Sequence, residues 1–406
     1  MRLWLIKLGK AMTALKNEGL LRGGRRIVFS FFALFRRVGS GDILFVTGGL
    51  GDSARYRCHH VAEELCLKGF KTSVTVQDNP FLSRYANKFS VVIFHRVLWT
   101  GFVESLVKKL KEQQKTIIFD TDDLVFDPEY FKHMDYFRVM NSFEKKQYEG
   151  GVGAEILTDP YVEVATVSTS FLAEKLRERG KRVFLVPNRL SEEDVKIAEK
   201  NHDVRSTKYE STSDEANIQN SEIVIGYFSG SKGHDKDFAT VSGVLVELLK
   251  KYNSLKLFIG GPLEIGNAFD EFGDRIVRLP YVPRAENFRN MSKMDIIIAP
   301  LEIGNPFCES KSELKFFEAG IVSVPVVAAT TQTFREAITD GVDGFVASNG
   351  IEWREKLERL ILDVNLRETI GMKARETALK KYTTKNAENR EYYEYLRECV
   401  DRTRGM

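Results

Sequence analysis

Several groups of side chains along this 406-residue chain are of the types that do chemistry. Asp120, Asp122 and Asp123 crowd the stretch "DTDDLVFD" (120–127), and His95 with Arg96 follows "VVIF" (91–94). Carboxylates at that density can act as a general base, orient a hydroxyl, hold a divalent cation or cap the next turn. Arg55 and Arg57 stand in "TGGLGDSARYRCHH" (47–60), behind Gly49 and Gly51, and suit an anionic ligand; arginines in a first helical turn also make plain surface pairs. "GYFSGSKGHDKDF" (226–238) places Lys232 between Gly230 and Gly233, which would let the backbone approach a phosphate closely.

The densest stretch is "CESKSELKFFEAG" (308–320). Ser310 followed three residues later by Glu313 is a capping-box pattern, which predicts a helix starting at about Lys311. Leu314 and Phe317 would face the core, and Gly320 would end the helix at C′. Free backbone N–H groups with Lys311 and Ser312 in the first turn make this helix start an anion site suited to a diphosphate. Glu318, about two turns along, could accept hydrogen bonds from sugar hydroxyls.

The elements that must position these groups alternate. "DILFV" (42–46), "VVIF" (91–94), "TIIF" (116–119) and "RVFLV" (182–186) read as buried strands, with helical patterns over 53–68 and 102–113. After a polar interval at 191–222, read as an interdomain connection, "IVIGYF" (223–228), "LKLFIG" (255–260), "IVRL" (276–279), "DIIIAP" (295–300) and "VPVVAA" (324–329) restart the pattern. Near-continuous apolar strands separated by helices mean parallel sheets covered on both faces. The expected fold is therefore α/β, two doubly wound Rossmann-like units in tandem. Ligands in such sheets bind outside the carboxyl ends of the strands, and two such edges are expected to face one another across a cleft.

Composition narrows the class. The length exceeds what one core supports, and 43% apolar with 29% charged residues is an ordinary globular balance. Four cysteines, at 58, 66, 308 and 399, form no CxxC pair, which argues against a zinc site or a disulfide framework. No run of 18 apolar residues spans a membrane. Residues 1–40 hold nine lysines and arginines against one acid, Glu18, although the whole chain carries only +3. Within them, "RRIVFSFFALFRR" brackets an apolar run with arginine pairs and reads as a segment lying on an anionic membrane surface. The positive charge does not continue into the body and no nucleic-acid motif follows, so no nucleic acid is expected as partner. A cytoplasmic protein, peripheral on the inner face of the membrane, fits these features.

"KSELKFFEAGIVSVPVVAA" with "FREAITDGVDGFVA" resembles the donor-domain signature of GT-B fold glycosyltransferases, particularly the retaining family-4 type. The resemblance covers roughly residues 41–400. It implies that Glu318 holds the nucleotide ribose; the family's first glutamate falls on Ser310, beside Glu309. It implies that Lys232 serves the donor diphosphate, whereas Tyr227 or Ser229 stands where an arginine usually does. It makes 47–60 the acceptor-side loop, with Gly49, Gly51, Arg55 and Arg57, and places His95 beside the transferred sugar with Asp122 or Asp123 as base or orienting group. The domains expected are 1–40 (membrane contact), 41–190 (acceptor side), 191–221 (linker), 222–383 (donor side) and 384–406 (a helix returning to the first domain). The implied function is transfer of a hexose from a nucleotide-diphosphate donor to a glycan or lipid-linked acceptor in cell-surface polysaccharide biosynthesis, with no metal or other cofactor. A GT-B nucleotide-sugar epimerase and a silent glycan-binding scaffold are the alternatives.

Overall fold

The computed structural model describes residues 37–135, 142–210, 222–230 and 233–405, with isolated positions before residue 37 and at 137 and 140. Most of the basic segment 1–40 and Lys232 thus lie outside the described residues. The chain divides into two units: unit 1 comprises residues to Phe131, Val139–Asn188 and those from Glu388 onward, and unit 2 comprises Lys132–Arg138 and Arg189–Ala387.

Unit 1 is built on β1 (Ile43–Thr47), β2 (Thr72–Val76), β3 (Val91–His95), β4 (Thr116–Thr121), β5 (Val164–Val167) and β6 (Arg182–Leu185), all parallel, in the order β2-β1-β3-β4-β5-β6. The expected strands are present, and β2 and β5 are additional. "TSVTV" in β2 alternates hydroxyls with valines at a half-exposed sheet edge, so it lacks the continuous apolar run that marks its neighbours. Phe45, Ile93, Ile118 and Val164 lie side by side in register and share one buried face. The C-terminal helix Arg390–Arg404 covers that face with Tyr392, Tyr393, Leu396, Cys399 and Val400, and Tyr393 Oη donates to Glu64 at 2.7 Å. The helix therefore returns to unit 1, as expected. Asn389 caps it by accepting from the Tyr392 N–H.

Unit 2 holds β7 (Ile223–Phe228), β8 (Leu255–Gly260), β9 (Ile276–Leu279), β10 (Ile296–Ala299), β11 (Val326–Ala329) and β12 (Phe345–Ala347), again all parallel, in the order β12-β11-β10-β7-β8-β9. The chain reverses direction across the sheet between β7 and β10, as it does between β1 and β3 in unit 1. These switch points are where such sheets receive ligands. The polar interval begins with one long helix, Glu192–Glu210.

The stretch 308–320 differs from its reading in four respects. A short helix, Pro306–Glu309, capped by Asn305, comes first, and the main helix runs Leu314–Ile321. Ser310 donates to the Phe307 carbonyl at 2.7 Å and so is not the cap; Glu313 occupies the N-cap position. Leu314 is only partly buried, while Phe316 and Phe317 fill the core. Gly320 lies inside the helix, where a Cβ would sit 2.8 Å from the Ala374 carbonyl, so it permits close packing on the helix Val364–Lys381. The turn falls instead on Ser323, at φ 60° with a buried hydroxyl that has no hydrogen-bond partner. A non-glycine residue in the left-handed region costs about 1–2 kcal/mol. Ser323→Gly is accordingly expected to raise stability by about 1 kcal/mol in urea denaturation, after the extra chain entropy of glycine is deducted.

Candidate functional site

The carboxyl edge of unit 1 carries a polar row that follows from strand register. Thr47, His95, Asp120 and Thr166 are successive partners across β1, β3, β4 and β5, two residues beyond the apolar row of Phe45, Ile93, Ile118 and Val164. Side chains two apart share a face, so the core ends and a hydrogen-bonded row begins on the same side of the sheet. Asp120 is its centre, 2% exposed. It accepts from Arg57 Nη2 at 2.6 Å and Nε at 3.2 Å, from His95 Nδ1 at 2.7 Å and from Thr166 Oγ1 at 2.7 Å. Burial works to raise its pKa, but Arg57 and His95 together hold it below the ordinary carboxylate value.

The ionised Asp120 can only accept, so Nδ1 of His95 carries the proton. Its other nitrogen, Nε2, lies 2.8 Å from Ser53 Oγ and 4.0 Å from Asp122. Asp122 and Asp123 both pair with Arg96, the former at 2.7 Å to Nε. Burial opposes ionisation of Asp122, yet Arg96 and then His95 keep it well below the usual carboxylate range. Arg96 itself sits at φ 48°, a strained conformation, and its carbonyl would lie 1.9 Å from a Cβ at position 48. The glycine this loop requires is thus Gly48; Gly49 and Gly51 meet nothing within 4 Å.

Arg57 departs from expectation. It lies in the π-helical turn Arg55–His60, where Tyr56, Arg57 and Cys58 are all buried, and its guanidinium is 1% exposed. Besides Asp120 it donates to the Val186 carbonyl and to Asn188 Oδ1. Its task is to neutralise Asp120, and it does not present charge to an acceptor. Arg55 is the accessible arginine of the loop, paired with Asp52 at 2.6 Å. The carboxylates of "DTDD" each face a protein cation, Asp120 on Arg57 and Asp122 and Asp123 on Arg96.

At the switch point of unit 2, the chain leaves β7 through Ser229 and Gly230, the latter exposed with open space around it. Gly261, at φ 90°, lets the turn after β8 pass Ser229, whose carbonyl would be 2.0 Å from a Cβ. Asp237, on the helix Asp235–Lys251, binds His234 Nδ1 at 2.8 Å, the Cys308 thiol at 3.2 Å and the Glu302 N–H at 3.2 Å. A small cavity beside it is lined by Gly233, Asp237, Glu302, Cys308 and Lys311 together with His133 and Asp135. Burial lowers the His234 pKa, and Lys315 and Lys311 push the same way against Asp237.

The donor atoms of Asp237, Glu302 and Cys308 come within 4.8 Å of one another. Burial and Asp237 push the Cys308 thiol pKa far up, and Lys311 and Lys315 add positive charge nearby.

Glu318 is 2.7 Å from Arg284 Nη1, and Arg284 in turn grips Asp194 through Nε and Nη2. Glu309 is committed to the backbone, accepting from Gly304 N at 3.1 Å and Gln332 N at 2.8 Å. Lys311 lies over the Phe307 ring at 4.4 Å, and Ser312 is half-buried beside it, ahead of the helix. The residues overlooked in the sequence are His234 and Asp237, one turn apart in "KGHDKDF", together with Lys315 and Arg284. The first pair had a spacing signal; Arg284 had none.

Residues 243–389, almost all within unit 2, match the glycosyl transferase-like family. Over 180 residues, 41% of this chain, the sequence is 26% identical to the capsular polysaccharide biosynthesis glycosyltransferase CapM of Staphylococcus aureus, and the match spans 44% of that protein's length. Among solved structures, Anabaena HepE in complex with UDP and glucose superposes with a TM-score of 0.59 at 14% identity, covering 88% of this chain and 100% of that one. A glycosyltransferase from Rickettsia africae gives 0.59 at 14% identity, over 89% and 99%. The chain is therefore a GT-B fold protein of two Rossmann-like units, and its second unit carries the glycosyl transferase-like sequence.

Proposed function

We propose that the protein is a glycosyltransferase that moves a hexose from a nucleoside-diphosphate donor, held by unit 2, to a glycan or lipid-linked acceptor served by unit 1. The observation that carries this reading is the switch point of unit 2. Lysines 311 and 315 gather there, with Glu318 one helical turn beyond the second of them and fixed by Arg284. Cations at a strand's carboxyl edge suit a diphosphate, and a carboxylate one turn on suits a ribose. HepE was crystallised with UDP and with UDP-glucose, and CapM is named for capsular polysaccharide biosynthesis; both fit this donor class and setting.

In the proposed reaction the bond between the anomeric carbon and the donor's β-phosphate oxygen breaks, and the acceptor oxygen forms a new bond to that carbon. Positive charge at the switch point of unit 2 stabilises the departing diphosphate, a kind of contact worth about 10²–10³-fold in rate for each well-placed donor. In unit 1, Asp120 fixes the His95 ring, and His95, Asp122 and Asp123 serve to orient the acceptor and manage its proton. Retention at the anomeric carbon, independence of metal, and attachment to an anionic membrane surface through residues 1–40 complete the proposal. Among the described residues no helix is long and apolar enough to cross a membrane.

The test is a thermal-shift panel of UDP, GDP, TDP and CMP sugars, with and without EDTA, on wild type and Glu318→Ala. A site filled at 100 times its Kd adds about 2.7 kcal/mol of stability. One donor is expected to stabilise the wild type in EDTA and to lose that effect in Glu318→Ala. That donor is then expected to label a lipid-linked or glycan acceptor. Stabilisation by none of them overturns the reading.

A further inference from the structure

Lys315 is a cation that no carboxylate contacts directly, although Asp237 and Glu318 act on it through space. It sits in the first turn of Leu314–Ile321, and among the described residues it makes no hydrogen bond or ion pair. Its ammonium lies instead over the face of Tyr227, 5.6 Å from the ring centroid. Tyr227 is fully buried at the end of β7, packed on Phe238, and its hydroxyl has no hydrogen-bond partner, so the ring face is what it offers. Lys311 stands four residues earlier, over the Phe307 ring. The nearby carboxylate, Asp237, is already shared by His234, Cys308 and the Glu302 N–H. Burial depresses the Lys315 pKa, with Lys311 adding repulsion, against the pull of Asp237 and Glu318.

An ammonium held on an aromatic face, repelled by Lys311 and with Asp237 engaged by three other groups, favours a bound anion of more than one charge. The spacing to Glu318 narrows the choice. Lys315 and Glu318 are three residues apart on one helix, which places their side chains on the same face about 5–6 Å apart at Cβ. A carboxylate for ribose hydroxyls and an ammonium for phosphate at that separation match the two ends of a nucleoside diphosphate.

We propose that Lys315, positioned by the Tyr227 ring, is the cation that takes the donor's diphosphate, in place of the arginine that the resemblance would put at 227 or 229. This rests on the donor-site reading of unit 2. It reassigns the clamp: Lys315 joins Lys311 on the diphosphate, and Tyr227 is a positioning residue that never touches the ligand.

The experiment is calorimetric titration of UDP, GDP and ADP, each beside its nucleoside, into wild type, Lys315→Gln and Lys315→Arg. For the diphosphate that wild type binds best, Lys315→Gln is expected to weaken binding at least about 10-fold more than for the nucleoside, and Lys315→Arg to recover most of the loss. On wild type alone, that diphosphate at saturation is expected to protect Lys315 from acetylation by acetic anhydride, read by mass spectrometry; this holds even where a variant fails to fold. If wild type binds a diphosphate and either Lys315→Gln binds it equally well or Lys315 acetylates at an unchanged rate, the assignment to Lys315 falls and the donor site stands. If wild type binds none of the three, both fall.

Discussion

Asp120→Asn and Arg57→Met are each expected to cost about 3–5 kcal/mol of stability in urea denaturation, because each leaves its buried partner with an uncompensated charge. The pair is 2.6 Å apart with both side chains almost completely shielded from water. The double variant is expected to lose clearly less than the sum of the singles, a coupling of at least about 1.5 kcal/mol, since the second change removes the orphan left by the first. Asp120→Asn should carry a second penalty that Arg57→Met escapes. Asparagine can present its amide to His95 Nδ1, reversing donor and acceptor and changing the tautomer of the ring. The proposed sugar transfer, by the fraction that stays folded, is therefore expected to fall about 10²-fold or more in Asp120→Asn, measured as kcat at a temperature below both melting transitions. Equal kcat in the folded fractions of the two variants would show that Asp120 serves stability alone.

Glu313 produces the other large effect, and it is visible as a dependence on pH. Its carboxyl is buried at the N-cap position of Leu314–Ile321, and Oε2 has no hydrogen-bond partner. Burial pushes its pKa up to about 7, against the pull of Tyr382 and Arg189. The folded protein therefore holds this proton where the unfolded chain has released it. As pH rises from about 4.5 towards 7 the unfolded state is favoured progressively, and above 7 the full penalty of roughly 3 kcal/mol is present. Glu313→Gln supplies a neutral side chain of the same shape. It is expected to flatten the stability profile between pH 4.5 and 7 and to be the more stable protein at pH 7.5 by up to about 3 kcal/mol. Parallel profiles for wild type and variant in guanidinium denaturation would exclude Glu313 as the source.

How much of this could be read from the residues depends on the range over which each feature is determined. The strands β1, β3, β4, β7, β8 and β10 announce themselves because both faces are buried and the apolar run is continuous. β2, with its hydroxyls, and the three-residue β12 offer no such run. His95 and the aspartates at 120–123 were legible because their place at strand ends is local information. The role of Arg57 was not, since its partners Asp120, Val186 and Asn188 come from distant parts of the chain. The same holds for Arg284, whose meaning lies in Asp194 and Glu318. Ser310 and Glu313 fit a capping motif by spacing, but the short helix before them, nucleated by Asn305 and Pro306, uses Ser310 first. Gly320 was read as a stop because the helix against which it packs lies some fifty residues on.

The return of Arg390–Arg404 to unit 1 sets an order of events during synthesis. The strands of the first sheet emerge from the ribosome early, yet the tyrosines and Leu396 that cover Phe45, Ile93, Ile118 and Phe184 are made about two hundred residues after β6. At about 5–20 residues per second, the wait is on the order of tens of seconds, during which this apolar face has only the partial cover of Val61, Ala62 and Leu65. Unit 2, by contrast, has its whole sheet in hand by residue 347. The later-encoded unit can therefore complete its core first, and the nascent chain presents a chaperone with one well-defined surface to shield until Arg390–Arg404 arrives.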